Sequence, residues 1–160
     1  MGLVHFLSVI IISASTAIFT PSNSFIVNSE PEAAVRISYL NNSFRSSFID
    51  VNGNEGPEAK HVIRKYSTEE SLFYIDLINQ FGGSYFDVSL FDIWTLINLQ
   101  SKGEDGELSI MENNIFFVQD WNGSLWAVEV IWTVIGWNIG AFPVDTGNKI
   151  ERGAFVFVRR

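Results

Sequence analysis

The chain has 160 residues, a net charge of −8 and no cysteine, and almost half of its residues are hydrophobic, with fourteen Phe and five Trp. That is enough apolar material for one sizeable core, while the absence of cysteine excludes disulfides, thiol nucleophiles and cysteine metal sites. The acidic balance and the scattered basic residues argue against a nucleic-acid partner, because phosphate binding needs clustered Lys and Arg. With only His5 and His61, a His-based triad or a multi-His metal site within one chain is excluded as well.

Met1 to Ser29 contains no Asp, Glu, Lys or Arg. Leu3 to Ser13 is apolar enough for the h-region of a signal peptide, and Ser15 with Ala17, or Ser22 with Ser24, supplies small residues for cleavage. Residues 1–24 are therefore expected as a signal peptide, although the n-region carries only the α-amino group and His5. Two readings compete with it. Gly2 to Phe19 is close to the shortest spanning helix, and contact with a membrane depends on residues 2–19 being retained. Val4 and Val9 to Ile12 are also strand formers, which would make the run a buried strand.

Residues 25–58 are loop-rich, with short strands conceivable at Arg36–Leu40 and Ser47–Val51 and a dense turn over Asp50–Pro57. Pro57 suits the first position of a brief helical segment reaching Lys65. Ser67 to Glu70 has the form of a capping box and predicts a helix through Phe81. Leu72, Ile75, Ile78 and Phe81 would form its apolar stripe, and Gly82-Gly83 would stop it. Ser89 with Asp92 predicts a second helix to about Gln100, carrying Leu90, Ile93, Trp94 and Ile97, with Gly103 beyond its end.

After Gly106 the period becomes two. Strands are expected at Ile115–Gln119, Ser124–Thr133, Trp137–Val144 and Ala154–Val158, with Asn122-Gly123 closing the first hairpin. The fold class that follows is α+β: two amphipathic helices and then a four-stranded antiparallel meander sheet within residues 59–160, preceded by the apolar segment. Trp126, Val128, Val130 and Trp132 share one face of the second strand, and Leu125, Ala127, Glu129 and Ile131 share the other. Both faces should be covered, one by the two helices and one by N-terminal chain or a partner.

Candidate sites are few. Asp145-Thr146-Gly147 has the form of an aspartic-protease turn, but that chemistry needs two such turns, so an ordinary β-turn is the better reading. Asp50, Asn52 and Asn54 space oxygens like a calcium loop, yet the glycine comes late and His61 stands where a bidentate Glu is required. Glu129 is the only charged residue between Trp121 and Pro143; if buried it would titrate high and could act as an acid or base, with Asp120 or Asp145 as second carboxylate. Otherwise it faces solvent or pairs with Arg152 or Arg159. Trp121, Trp126, Trp132 and Trp137 crowd the hairpin region and either stack on a ligand or fill the core. Asn41 and Asn122 begin acceptor sequons.

These residues favour a non-catalytic exported binding module meeting an unknown protein or glycan through its sheet and Trp residues, with no cofactor. A small carboxylate-dependent hydrolase and a membrane-anchored accessory protein are the alternatives.

Overall fold

The structure is a computed structural model that describes residues 3–82 and 87–159. Its centre is a seven-stranded mixed sheet, not a four-stranded meander. In spatial order the strands are β1 (Val4–Ile12), β3 (His61–Thr68), β9 (Phe155–Arg159), β5 (Asn114–Gln119), β6 (Leu125–Thr133), β7 (Gly136–Pro143) and β2 (Ile37–Leu40). The pairs β9–β5 and β7–β2 are parallel and the rest antiparallel. A small second sheet pairs β4 (Leu72–Phe73) with β8 (Lys149–Ile150).

The β5–β6–β7 meander forms as expected. Its first turn is set by Asp120, whose Oδ1 accepts from the amides of Asn122 and Ser124 at 2.9 Å, and by Gly123 at φ 83°. The expected fourth strand does not continue the meander. β9 crosses back to lie between β5 and β3, because Val156, Phe157 and Val158 are apolar on both sides and are buried only in the middle of a sheet. β5 likewise buries Asn114 to Val118 without alternation.

The apolar N-terminal run forms β1, at one edge of the sheet. Ile10 and Ile12 point into the core, and the strand pairs along its length with β3. That pairing explains a second correction. Residues 61–68 are extended instead of helical, so Pro57–Lys65 forms no helix and Ser67–Glu70 caps nothing.

The helix expected there is shorter. It is α3 (Tyr74–Phe81), and Asp76 accepts from the Phe73 amide at its start. Its buried side is Tyr74 and Leu77 with Ile78 and Phe81, while Ile75 is exposed and Leu72 lies in β4. Gly82 ends it at φ 79°, and Gly83 lies outside the described residues. α4 (Leu90–Leu99) follows the prediction closely, with Ser89 Oγ accepting from the Asp92 amide at 3.1 Å and Asp92 accepting in return from the Ser89 amide. In the chain before them, α1 (Pro21–Ser24) and α2 (Asn42–Phe44) are single turns, and Arg45–Ile49 continues α2 as a wider turn in place of a Ser47–Val51 strand.

The two longer helices lie on opposite faces. On one face Leu90, Ile93, Leu96 and Ile97 of α4, with Phe25, Phe44 and Phe48, pack on Ile63, Phe116, Val128, Val130, Trp137 and Phe157. On the other, Tyr74 and Leu77 of α3 and the β4–β8 pair cover Ile115, Phe117, Ala127, Val156 and Val158. The expectation of both helices on one face fails: α4 packs in the larger cluster on one face and α3 in the smaller cluster on the other.

Candidate functional site: a half-covered sheet face at Glu129

The cover on the second face stops at β6. Register places Glu129 of β6 between Ile115 on β5 and Gly140 on β7, pointing to the α3 side. The Tyr74 hydroxyl donates to Glu129 Oε2, and Asn113 Nδ2 donates to Oε1 at 2.7 Å. Burial first, then the neighbouring carboxylate, pushes the Tyr74 phenol well above its ordinary acidity range, so the proton stays on tyrosine. Beyond Glu129 the face is open, and a cleft of about 410 Å³ runs over β6, β7 and β2. Tyr39, Ile131 and Phe142 supply apolar wall, with Asn41, Asn138 and Gly140 between them.

Two features hold this cleft in shape. The Asn41 side chain accepts from the Phe44 and Ala141 amides and donates to the Ala141 carbonyl, which ties β2 to β7. Gly140 leaves room for its neighbours: a Cβ there would stand 2.9 Å from Phe142 Cε2 and 3.0 Å from Asn41 Nδ2. Tyr39 and Ile131 are 53% and 39% exposed, so the wall is accessible.

The other carboxylates singled out in the sequence lie elsewhere. Asp120 belongs to the hairpin turn on the opposite face, level with Ser124 and so five residues along β6, or roughly 17 Å, from Glu129. Its carboxyl meets a desolvation cost, but donation from Trp126 Nε1 and from the Ser124, Asn122 and Gly123 amides holds it below the usual range. Asp145 is exposed in the turn after β7. The three do not converge. Asp120 instead shares a small cleft of about 270 Å³ with Glu55 and Trp121. Both of those carboxylates are already engaged by structural donors, since Glu55 accepts from the Leu90 and Phe91 amides at 2.9 Å. In the Asp50–Asn54 loop, Asn54 Oδ1 accepts from Thr20 Oγ1 and Asn52 adopts φ 54°. Among the described residues no group of three or more His, Asp and Glu side chains is placed to hold a metal ion.

The four tryptophans do not form an exposed platform. Trp137 is fully buried with Nε1 donating to the Gln100 carbonyl, and Trp126 and Trp132 are partly buried on the α4 face. Trp121 is 44% exposed, with its ring against Gly53 and near Phe48. Asn41, a sequon asparagine, has its amide engaged in the β2–β7 tie. Asn122 is exposed in its turn.

One polar cluster has little sequence signal. At the start of α4, His61 Nε2 lies 2.6 Å from Asp92 Oδ1, and its Nδ1 lies 3.0 Å from the Ala59 carbonyl. Since a carbonyl only accepts, Nδ1 carries a proton. Glu58 pairs with Arg159 beside them. Burial first, against the Ser89 amide and His61, raises the Asp92 carboxyl, and burial likewise raises Glu55. Both ring nitrogens of His61 are occupied, so the cluster is arranged to seat a helix terminus.

No protein-family model matches the chain, and neither a curated protein nor a solved structure is similar to it.

Proposed function

We propose that the chain is a non-catalytic binding module whose ligand, a segment of a protein partner, docks on the open half of the second sheet face at the Glu129 cleft. The observation that carries this reading is the abrupt end of the cover. α3 and the β4–β8 pair bury the sheet as far as Ala127 and the half-buried Phe142 beside it, and the next stretch presents Tyr39 and Ile131 to an open cleft that Phe142 borders. A concave apolar surface with one fixed polar group is the usual form of a binding site. A side chain fits it better than a sugar, because sugars need several polar partners beside an exposed aromatic ring, and this wall offers mainly apolar surface.

The lack of converging carboxylates supports binding over hydrolysis. Glu129, Asp120 and Asp145 occupy three separate places, and an acid–base pair must share one substrate. Titration with small apolar, aromatic and charged fragments, followed by backbone amide NMR, tests the reading. Shifts are expected to cluster at Tyr39, Asn41, Ile131, Gly140 and Phe142. Shifts clustered at Trp121, or scattered over the surface, would reject this face as the binding surface.

A further inference from the structure

We propose that the Glu129 cleft receives the cationic end of a lysine or arginine side chain from the partner. This rests on the reading of the open sheet face as the docking surface, and specifies what the cleft selects.

Among the described residues the Glu129 carboxylate has no counter-ion. Glu129 is partly buried, yet its two partners, the Tyr74 hydroxyl and the Asn113 amide, are neutral. The ion pairs among the described residues, such as Lys65 with Glu107 and Arg159 with Glu58, lie elsewhere. Buried charges in proteins are ordinarily paired. From Trp121 to Pro143 the chain contains no Lys, Arg or His, so nothing on β6 or β7 competes for this carboxylate. Each Glu129 oxygen accepts one hydrogen bond here and retains lone-pair capacity for another.

The walls match the rest of such a side chain. A basic residue has an apolar stem behind a charged head, and Ile131, Phe142 and Tyr39 line the approach to Glu129. Aromatic faces also favour a cation near them. The net charge of −8 adds long-range attraction for a basic partner.

Blocked lysine amide and blocked norleucine amide, which share a stem and differ in the ammonium, are the probes. Binding is followed by amide NMR in the parent and in Glu129→Gln. The glutamine variant is expected to fold: its Oε1 still accepts from Tyr74, and a flipped Asn113 amide can accept from its nitrogen, since Asn113 Oδ1 has no partner among the described residues. Lysine amide is expected to bind at the cleft, to weaken by about tenfold or more in Glu129→Gln, and to weaken as salt is raised, because an ion pair is screened. Norleucine amide should bind less well and without a salt effect. The salt series on the parent chain keeps the test intact should the variant fail to fold. Equal binding of both probes at the cleft, insensitive to Glu129→Gln and to salt, overturns the cation inference and leaves the docking surface standing. Absence of shifts in the cleft with either probe overturns both.

Discussion

Glu55 and Asp92 meet at the first turn of α4, and each does work that a helix terminus requires. Glu55 satisfies the amides of Leu90 and Phe91, and Asp92 satisfies that of Ser89. Carboxylates also suit the positive end of a helix dipole. The opposing effect is burial, reinforced at Glu55 by Glu58 and Asp92, and it wins: both carboxyls are raised above their ordinary range. A carboxyl whose folded pKa lies above its unfolded one supports the fold most fully below the unfolded value, and that support is lost as pH rises through the folded value. The cluster therefore predicts falling stability from mildly acidic conditions toward neutrality. In Glu55→Gln the difference in unfolding free energy between about pH 5 and about pH 7.5 is expected to shrink relative to the parent, measured by urea denaturation at each pH. An unchanged difference would remove Glu55 from this account. The pair of Asp92 with His61 was not legible in advance. The capping box marked Asp92 as a helix-start residue, but a partner 31 positions earlier leaves no local trace.

At the scale of elements, β1 is the part most exposed to misassociation. It is nine residues long, borders the sheet, and leaves Phe6, Leu7, Val9 and Ile11 exposed with no Asp, Glu, Lys or Arg in the strand. Long apolar edges template pairing with other chains, and a lysine on the edge is a common remedy. Ile11 is 61% exposed, facing away from the buried Ile10 and Ile12. Ile11→Lys is expected to slow aggregation, read by light scattering during incubation, while changing stability by no more than about 0.5 kcal/mol. A large loss of stability would mean that Ile11 is packed. The elements with strong local signals formed where the sequence placed them: Ser89 and Asp92 start α4, and Asn122-Gly123 turns β5 into β6. The misreading at Ser67 has a physical cause. A capping box is a four-residue pattern, whereas residues 61–68 are held extended by hydrogen-bonded neighbours on both sides, β1 and β9.

For the molecule as a whole, the first strand and the last are neighbours of the same strand, β3. Residues 4–12 close the edge over Ile63, and Ile10 and Ile12 join the main core. Burying one such side chain contributes about 1.5–3 kcal/mol, so a chain beginning at Ile18 is expected to lose at least about 3 kcal/mol of stability. Chemical denaturation of the two forms compares them directly. Equal stability would mean that β1 is dispensable, as cleavage of an export signal after Ala17 would require.

Local chemistry was enough to determine α4, the β5–β6–β7 meander and the two-faced apolar character of β6. Those features depend on residues within a few positions of one another, or on the alternation of one strand. Tertiary structure alone decided that the strand-forming N-terminal run pairs with β3 at the edge of the sheet, that β9 inserts between β3 and β5, and that α3 and α4 lie on opposite faces. It also decided that the cover ends beside Glu129, with Tyr74 as its border. These depend on which distant strand offers the better apolar partner once the chain has closed on itself, and that choice is made by burial over the whole sheet, with no signature in any short stretch of sequence.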